Sequence, residues 1–439
     1  MKKQKFGIIA VLVVLYAIGW LAFFSGRTQA GVDYAQLIKN AEESAGKRLY
    51  VQAAEFYKAA WESVPDVDIY KKITNLYDQY YEEEHTPEVL GEYMDVVGDV
   101  IDKYPEVSEF WDKGIALNIE AGDERNAYKL AKSAIMSGIS SELVQGEYKK
   151  LKYTISDGYK RFEKYHTADN GYISVYNGEV WRVADNRCNE MSAGYRYIGP
   201  LSDDGYGLYR NDIDLRLMDA VNVIRARYAI EIDEAGVYST ESGMAPVRIG
   251  STWQYLKSDG TSAEGRYEMA GSYVDGKAAV CSEGKWYLIN EAGETVSEVF
   301  EEILLDSHGR YLNDGIILAK EEGKFHIYNE KWEQQGDFSA DDADRSPAEG
   351  LIAFASGEKW GFADSDGNIV FAPVFAGARG FSNGLAAVKD ESGRWGFVDE
   401  EFETVIDCRY LETGYFNNDG ACIVSTDEGS YHTISLKYE

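Results

Sequence analysis

The chain has 439 residues, enough for two or three domains, since single cores rarely grow past about 250–300 residues. Its 45% hydrophobic and 13% aromatic content excludes wholesale disorder. A formal charge of −31, from 75 acidic against 44 basic residues, excludes the basic footprint of a nucleic-acid binder.

Residues 1–5, MKKQK, precede a run without charge over 6–24, FGIIAVLVVLYAIGWLAFF. About twenty apolar residues cross a bilayer as a helix, so the run predicts a transmembrane anchor behind a cytoplasmic stub. The flank SGRTQAG offers no clean Ala-x-Ala site, which favours a retained signal-anchor over a cleaved leader. Lys2, Lys3 and Lys5 lie before the run and only Arg27 closely after it. The positive-inside rule then predicts a single-pass cell-membrane protein with its bulk outside the cytoplasm.

From 32 to 150 the pattern is helical, with small residues at regular spacing. In YVQAAEFYKAAWESVP, Ala53 and Ala60 leave room for a second helix, Tyr57 fills the groove between them and Pro65 stops the helix. A second match has Trp111 on a first helix, a Gly122-Asp123 turn, then Ala127, Ala131 and Ala134 on a second. Residues 69–104 supply a pair between them, turning near Thr86-Pro87, with Tyr93, Val97 and Val100 where alanines would stand. The spacing resembles tetratricopeptide repeats, and the resemblance implies a short helical solenoid that binds protein or acts as a spacer.

Over 168–439 an aromatic or apolar residue recurs as Trp181, Leu217, Trp253, Trp286, Phe325, Trp360, Trp395 and Tyr431, at intervals of 36, 36, 33, 39, 35, 35 and 36. Spacing that even marks a structural repeat rather than an active site. A glycine opens a short apolar run before each, at Gly171, Gly207, Gly243, Gly276, Gly315, Gly350, Gly384 and Gly420. Each unit thus reads as a strand, a tight turn and an aromatic-led strand. Seven full repeats and a closing hairpin follow, predicting an all-β array that forms a propeller-like ring or, alternatively, an open β-solenoid.

Trp360-Gly361-Phe362 and Trp395-Gly396-Phe397 carry the signature in full, and the stretch from Glu358 to Ile406 resembles two consecutive WG-containing repeats, also called KWG repeats. The resemblance implies repeat-built β structure of the kind found on bacterial surface and uncharacterised proteins.

Chemistry is harder to find. The five histidines have no metal-binding spacing, and Cys188, Cys281, Cys408 and Cys422 form no CxxC pair. Ser282/Lys285 and Ser356/Lys359 imitate SxxK, but in hairpin turns rather than on a helix. Asp364-Ser-Asp-Gly-Asn imitates the start of a calcium loop without its later glutamate. No catalytic, cofactor-binding or metal residue is therefore named, and no cofactor is implied. The expected function is non-catalytic binding or scaffolding for a protein or cell-envelope partner, with no nucleic acid involved. One alternative is a cell-wall or glycan binder, with Tyr195, Tyr197, Tyr206 and Tyr273 stacking on sugars; another is a hydrolase using acidic residues such as Asp341 and Asp342 in a propeller mouth.

Overall fold

A computed structural model describes residues 34–166, 171–344 and 349–438, and divides into two compact units, one ending at Leu151 and the other running from Lys152. Among the described residues no helix is long and apolar enough to cross a membrane. Residues 6–24, where an anchor is expected, lie outside the described residues. The fold is accordingly corrected to helices followed by many small sheets, with no membrane helix among the described residues, and the single-pass location that rested on that helix is withdrawn.

The first unit holds seven described helices: α1 (Tyr34–Gly46), α2 (Tyr50–Ser63), α3 (Val67–Glu84), α4 (Pro87–Lys103), α5 (Ser108–Glu120), α6 (Glu124–Met136) and α7 (Glu142–Lys152). Neighbours in sequence from α1 to α6 pack on one another. Ala53, Ala60, Ala127, Ala131 and Ala134 are fully buried, and Tyr57 and Trp111 nearly so. Pro65 lies just past the end of α2 and is exposed. The middle pair uses Tyr93, Val97 and Val100 for its buried face, with the Tyr93 ring stacked on Tyr77 at 5.6 Å and its hydroxyl donating to Asp78 Oδ1 at 2.8 Å. Thr86 caps α4 by accepting from Val89 N, with Pro87 at the first helical position, where its missing N–H costs nothing. At Gly114 a Cβ would come within 3.2–3.4 Å of Ile101, Leu130 and Val97, so glycine permits the close approach of three helices.

In the second unit the chain lays down β1 (Ile155–Asp157) and then eight hairpin-based sheets. The first sheet is β2 (Lys164–His166), β3 (Tyr172–Tyr176) and β4 (Trp181–Asp185); the second is β5 (Tyr197–Ile198), β6 (Tyr206–Arg210), β7 (Leu215–Asp219) and β8 (Ile224–Tyr228). The third is β9 (Glu234–Ala235), β10 (Met244–Ile249) and β11 (Thr252–Lys257); the fourth is β12 (Met269–Ala270), β13 (Lys277–Ser282) and β14 (Lys285–Asn290). The fifth is β15 (Glu302–Ile303), β16 (Ile316–Glu321) and β17 (Lys324–Asn329); the sixth is β18 (Asp342–Asp344), β19 (Leu351–Ser356), β20 (Lys359–Asp364) and β21 (Ile369–Phe375). The seventh is β22 (Gly377–Ser382), β23 (Leu385–Lys389), β24 (Trp395–Val398) and β25 (Thr404–Tyr410). The eighth is β26 (Glu412–Thr413), β27 (Ala421–Asp427) and β28 (Ser430–Leu436), and β1 pairs onto β28 as its outer strand. This unit therefore starts at Lys152, ahead of the boundary expected at 168.

Hydrogen-bonded ladders stop at the edge of each sheet, so there is no continuous barrel. Side-chain layers join the sheets instead. In the seventh, Ala386 packs toward the sixth and Ala387 toward the eighth, so successive residues of one strand serve two cores. The last layer joins Ile423 of the eighth sheet to Phe162, Ile173 and Val175 at the first, bringing the array back to its start in a ring.

The register identifies a two-residue error in the spacing read from sequence. Hairpin pairs Tyr176↔Trp181, Arg248↔Trp253, Cys281↔Trp286 and Ala355↔Trp360 correspond to Arg210↔Leu215, which makes Leu215 and not Leu217 the signature position of the second sheet. Gly205 likewise replaces Gly207: it shares the positive φ, +80°, of the turn glycines such as Gly171 and Gly276. A shift of two keeps the same strand face, so the apolar pattern cannot reveal it.

Candidate functional site

The signature residues are structural. Trp181, Trp253 and Phe325 are buried between adjacent sheets. Trp286, Trp360, Trp395 and Tyr431 are partly buried against the same kind of core. Phe362 and Phe397 are fully buried. A Cβ on Gly361 would stand 2.5 Å from Phe371 O, and one on Gly396 2.5 Å from Ile406 O. Glycine at those two places lets β21 and β25 lie against the signature strands, where the ladder carries a bulge.

A second recurrence escapes the aromatic alignment. Asp185, Asp219, Asn290, Asn329, Asp364 and Asp399 each follow a signature residue by four places. Their side-chain oxygens accept backbone N–H groups of the next turn, as Asp364 Oδ1 does from Asp366 N and Asn368 N at 3.0 and 2.8 Å. This is the use of the calcium-like stretch: a turn. The Asn368 side-chain amide holds the Asp364 carboxyl below the ordinary carboxylate range. The SxxK imitations are cross-strand pairs, Ser282↔Lys285 and Ser356↔Lys359, with no helix to aim lysine at serine. All four cysteines are free thiols.

A cavity of about 450 Å³ has Tyr165 and His166 from the first sheet, Glu234 from the third, Met269 and Ser272 at the fourth and His308 at the fifth on its wall. His166 stacks on Trp181 at 4.9 Å and 11°. Burial pulls its pKa down to about 4, against the pull of Glu234, so the imidazole is neutral at pH 7. Its Nε2 is shut off from solvent and has no hydrogen-bond partner among the described residues.

Ser307, beside His308 in sequence, puts its Oγ 3.3 Å from His308 Nδ1, a pair that the reading of the histidines passed over. The third member of a triad is spent elsewhere. Asp306 accepts from the backbone of His308 and Arg310 and from Arg310 Nε at 2.8 Å, and Arg310 Nη2 itself lies 3.5 Å from Nδ1. Glu234 is the one carboxylate among the cavity's lining residues, and it pairs with Arg248 at 3.0 Å. Asp341 is held ionised by Lys324 and by Gly357 N–H, and Asp342 accepts from Ala343 N. Among the described residues no three His, Cys, Asp or Glu side chains are grouped to hold a metal ion.

The four tyrosines of the glycan reading do not form a row. Tyr273 is buried and donates to Asn290 O, while the Tyr197 hydroxyl accepts from Ala235 N. Tyr206 receives a hydrogen bond from Arg225, and Tyr195 packs edge-on against Tyr209.

A further cluster is one that composition does not reveal. Asp344 on β18, Arg379 on β22 and Tyr415 just after β26 meet where the first strands of the sixth, seventh and eighth sheets converge. Arg379 lies over the Trp395 ring at 5.4 Å and the Tyr415 ring at 5.6 Å. Its charge also acts on Tyr165, partly offsetting the burial that raises that hydroxyl's pKa. The only sequence signal is an arginine in a first strand, legible once the strand phase is known.

A family model described as WG containing repeat matches residues 262–286, 360–392 and 395–428, so the second unit carries WG-containing repeats at three places. No curated protein matches the chain. Solved structures similar to it include Kluyveromyces lactis Hsv2, at 9% identity and TM-score 0.37, covering 56% of this chain and 95% of that one. The Neurospora crassa Pan2 WD40 domain aligns at 7% identity and TM-score 0.36, covering 63% and 90%. PorZ, a type-IX secretion-system surface component of Porphyromonas gingivalis, aligns at 11% and 0.34, covering 65% of this chain and 38% of that one. Likenesses this distant say nothing about what the chain binds.

Proposed function

We propose that the chain is a non-catalytic binding or scaffold protein, presenting a tetratricopeptide-like helical surface and a WG-type β-repeat surface to a protein partner. The observation that supports this reading is where the chemistry-bearing side chains are spent. Asp364, Asp306 and Asp341 hold turns, Glu234 holds an arginine, and Asp306, next to the Ser307-His308 pair, also holds Arg310. Two repeat units in one chain offer wide surfaces with little chemistry, which suits recognition.

The test uses the full chain, with chemical cross-linking and mass spectrometry of whatever it retains, beside a panel of ester and glycoside substrates. The reading expects one partner cross-linked at recurring positions on one surface, and no turnover. Hydrolysis that disappears in Ser307→Ala or Glu234→Gln would overturn it.

A further inference from the structure

We propose that the Arg379 guanidinium is a receptor for an oxyanion, a carboxylate or a phosphate, brought to the middle of the β unit by a partner. The inference deepens the binding reading and rests on it.

Two aromatic faces hold the flat cation, Trp395 at 5.4 Å and Tyr415 at 5.6 Å. The in-plane N–H groups are the ones that grip an oxyanion in parallel pairs, and around Arg379 they meet one hydroxyl, that of Tyr415, and the ion-paired Asp344. The acid at hand pairs with the cation without a hydrogen bond. Asp344 Oδ1 stands 3.7 Å from Nη1, beyond hydrogen-bond distance. Asp344 Oδ2 is already occupied by the Tyr415 hydroxyl at 2.6 Å and by Gly380 N–H at 3.0 Å. Arg379 Nε is closed to solvent and has no hydrogen-bond partner among the described residues. That Nε–H is costly as pure structure, because a shielded donor without a partner forfeits its hydration.

The rest of the group is reachable. The side chain is 35% exposed. A single oxyanion could engage the guanidinium without displacing Asp344, whose hydrogen bonds are made to other groups. The chain's charge of −31 repels free anions at long range, but beyond about 8 Å that repulsion is screened at physiological salt. A contact at Arg379 is short-range and survives the screening.

The experiment is an NMR titration of the full chain at physiological ionic strength, with sodium acetate in one arm and inorganic phosphate in the other, each balanced with chloride. Two reporters are read: the Arg379 Nε–H and the Trp395 indole N–H. The expected result is a saturable shift of both, and the arm that saturates earlier identifies the class of anion. The Trp395 shift should weaken about tenfold in Arg379→Lys, which keeps the charge without the fork, and vanish in Arg379→Gln of unchanged melting temperature. No saturable shift with either anion, or an undiminished Trp395 shift in the lysine variant, would overturn the proposal. Should the glutamine variant fail to fold, the wild-type titration and the lysine variant decide. A failed titration beside a cross-linked partner would sink this site alone, whereas turnover in the substrate panel would sink the binding reading.

Discussion

Two glycines show how much a repeat signature can rest on the absence of an atom. At Gly361 and Gly396 a methyl group would meet three backbone atoms within 3 Å, and backbone cannot swing aside. Gly361→Ala and Gly396→Ala are each expected to cost about 2–4 kcal/mol, read as a lower midpoint in denaturant unfolding. Gly91 and Gly98 on α4 have nothing within 4 Å of the added methyl and are exposed. Alanine there should stabilise by about 0.5–1 kcal/mol, because helix interiors favour it over glycine. The Trp-Gly signature, the turn glycines and the buried alanines of α2 and α6 were legible as sequence, since each obeys a period. Arg379 and His166 were not: what matters about them is which strand phase faces the middle, and that is a property of the assembled sheets.

Among the elements, β1 decides whether the array is a ring. It comes from the start of the β unit yet pairs with β28 in register Ile155↔Leu436, Ser156↔Ser435 and Asp157↔Ile434. Gly158 then donates to Thr433 O at 2.7 Å, and a Cβ at Gly158 would lie 2.7 Å from Thr433 Oγ1 and 2.8 Å from Thr433 O. Gly158→Ala should push β1 off its partner. Limited proteolysis would then cut within 155–166 far sooner than in the unsubstituted protein, and unchanged resistance would show that β1 contributes little. The strand was illegible in advance because three residues, two of them exposed, carry no alternation long enough to read. The second sheet was legible only to within two residues, for the reason given by strand period: Leu215 and Leu217 lie on one face.

Over the whole molecule, the acidic composition acts partly through turns. Carboxyls such as Asp364 and Asp341 are held below the ordinary range by hydrogen bonds and by Lys324, so the unfolded chain takes up protons before the folded one does. Their contribution is complete above the unfolded value near pH 4 and is lost as pH falls through the folded values. His166 extends the window upward. Its folded pKa is about 4 against 6.5, so stability should fall by about 2–3 kcal/mol between pH 7 and 4. His166→Phe should flatten that part of the profile in urea unfolding measured against pH. The cavity draws its lining from the first, third, fourth and fifth sheets, so its shape depends on how the sheets are joined. Amide hydrogen exchange on the full chain tests this most directly. A ring joined by its two ends predicts that the amides of β1 and β28 are protected together and exchange as one group with β3 and β27. Exchange of β1 at the rate of free chain, with the second to seventh sheets still protected, would contradict it.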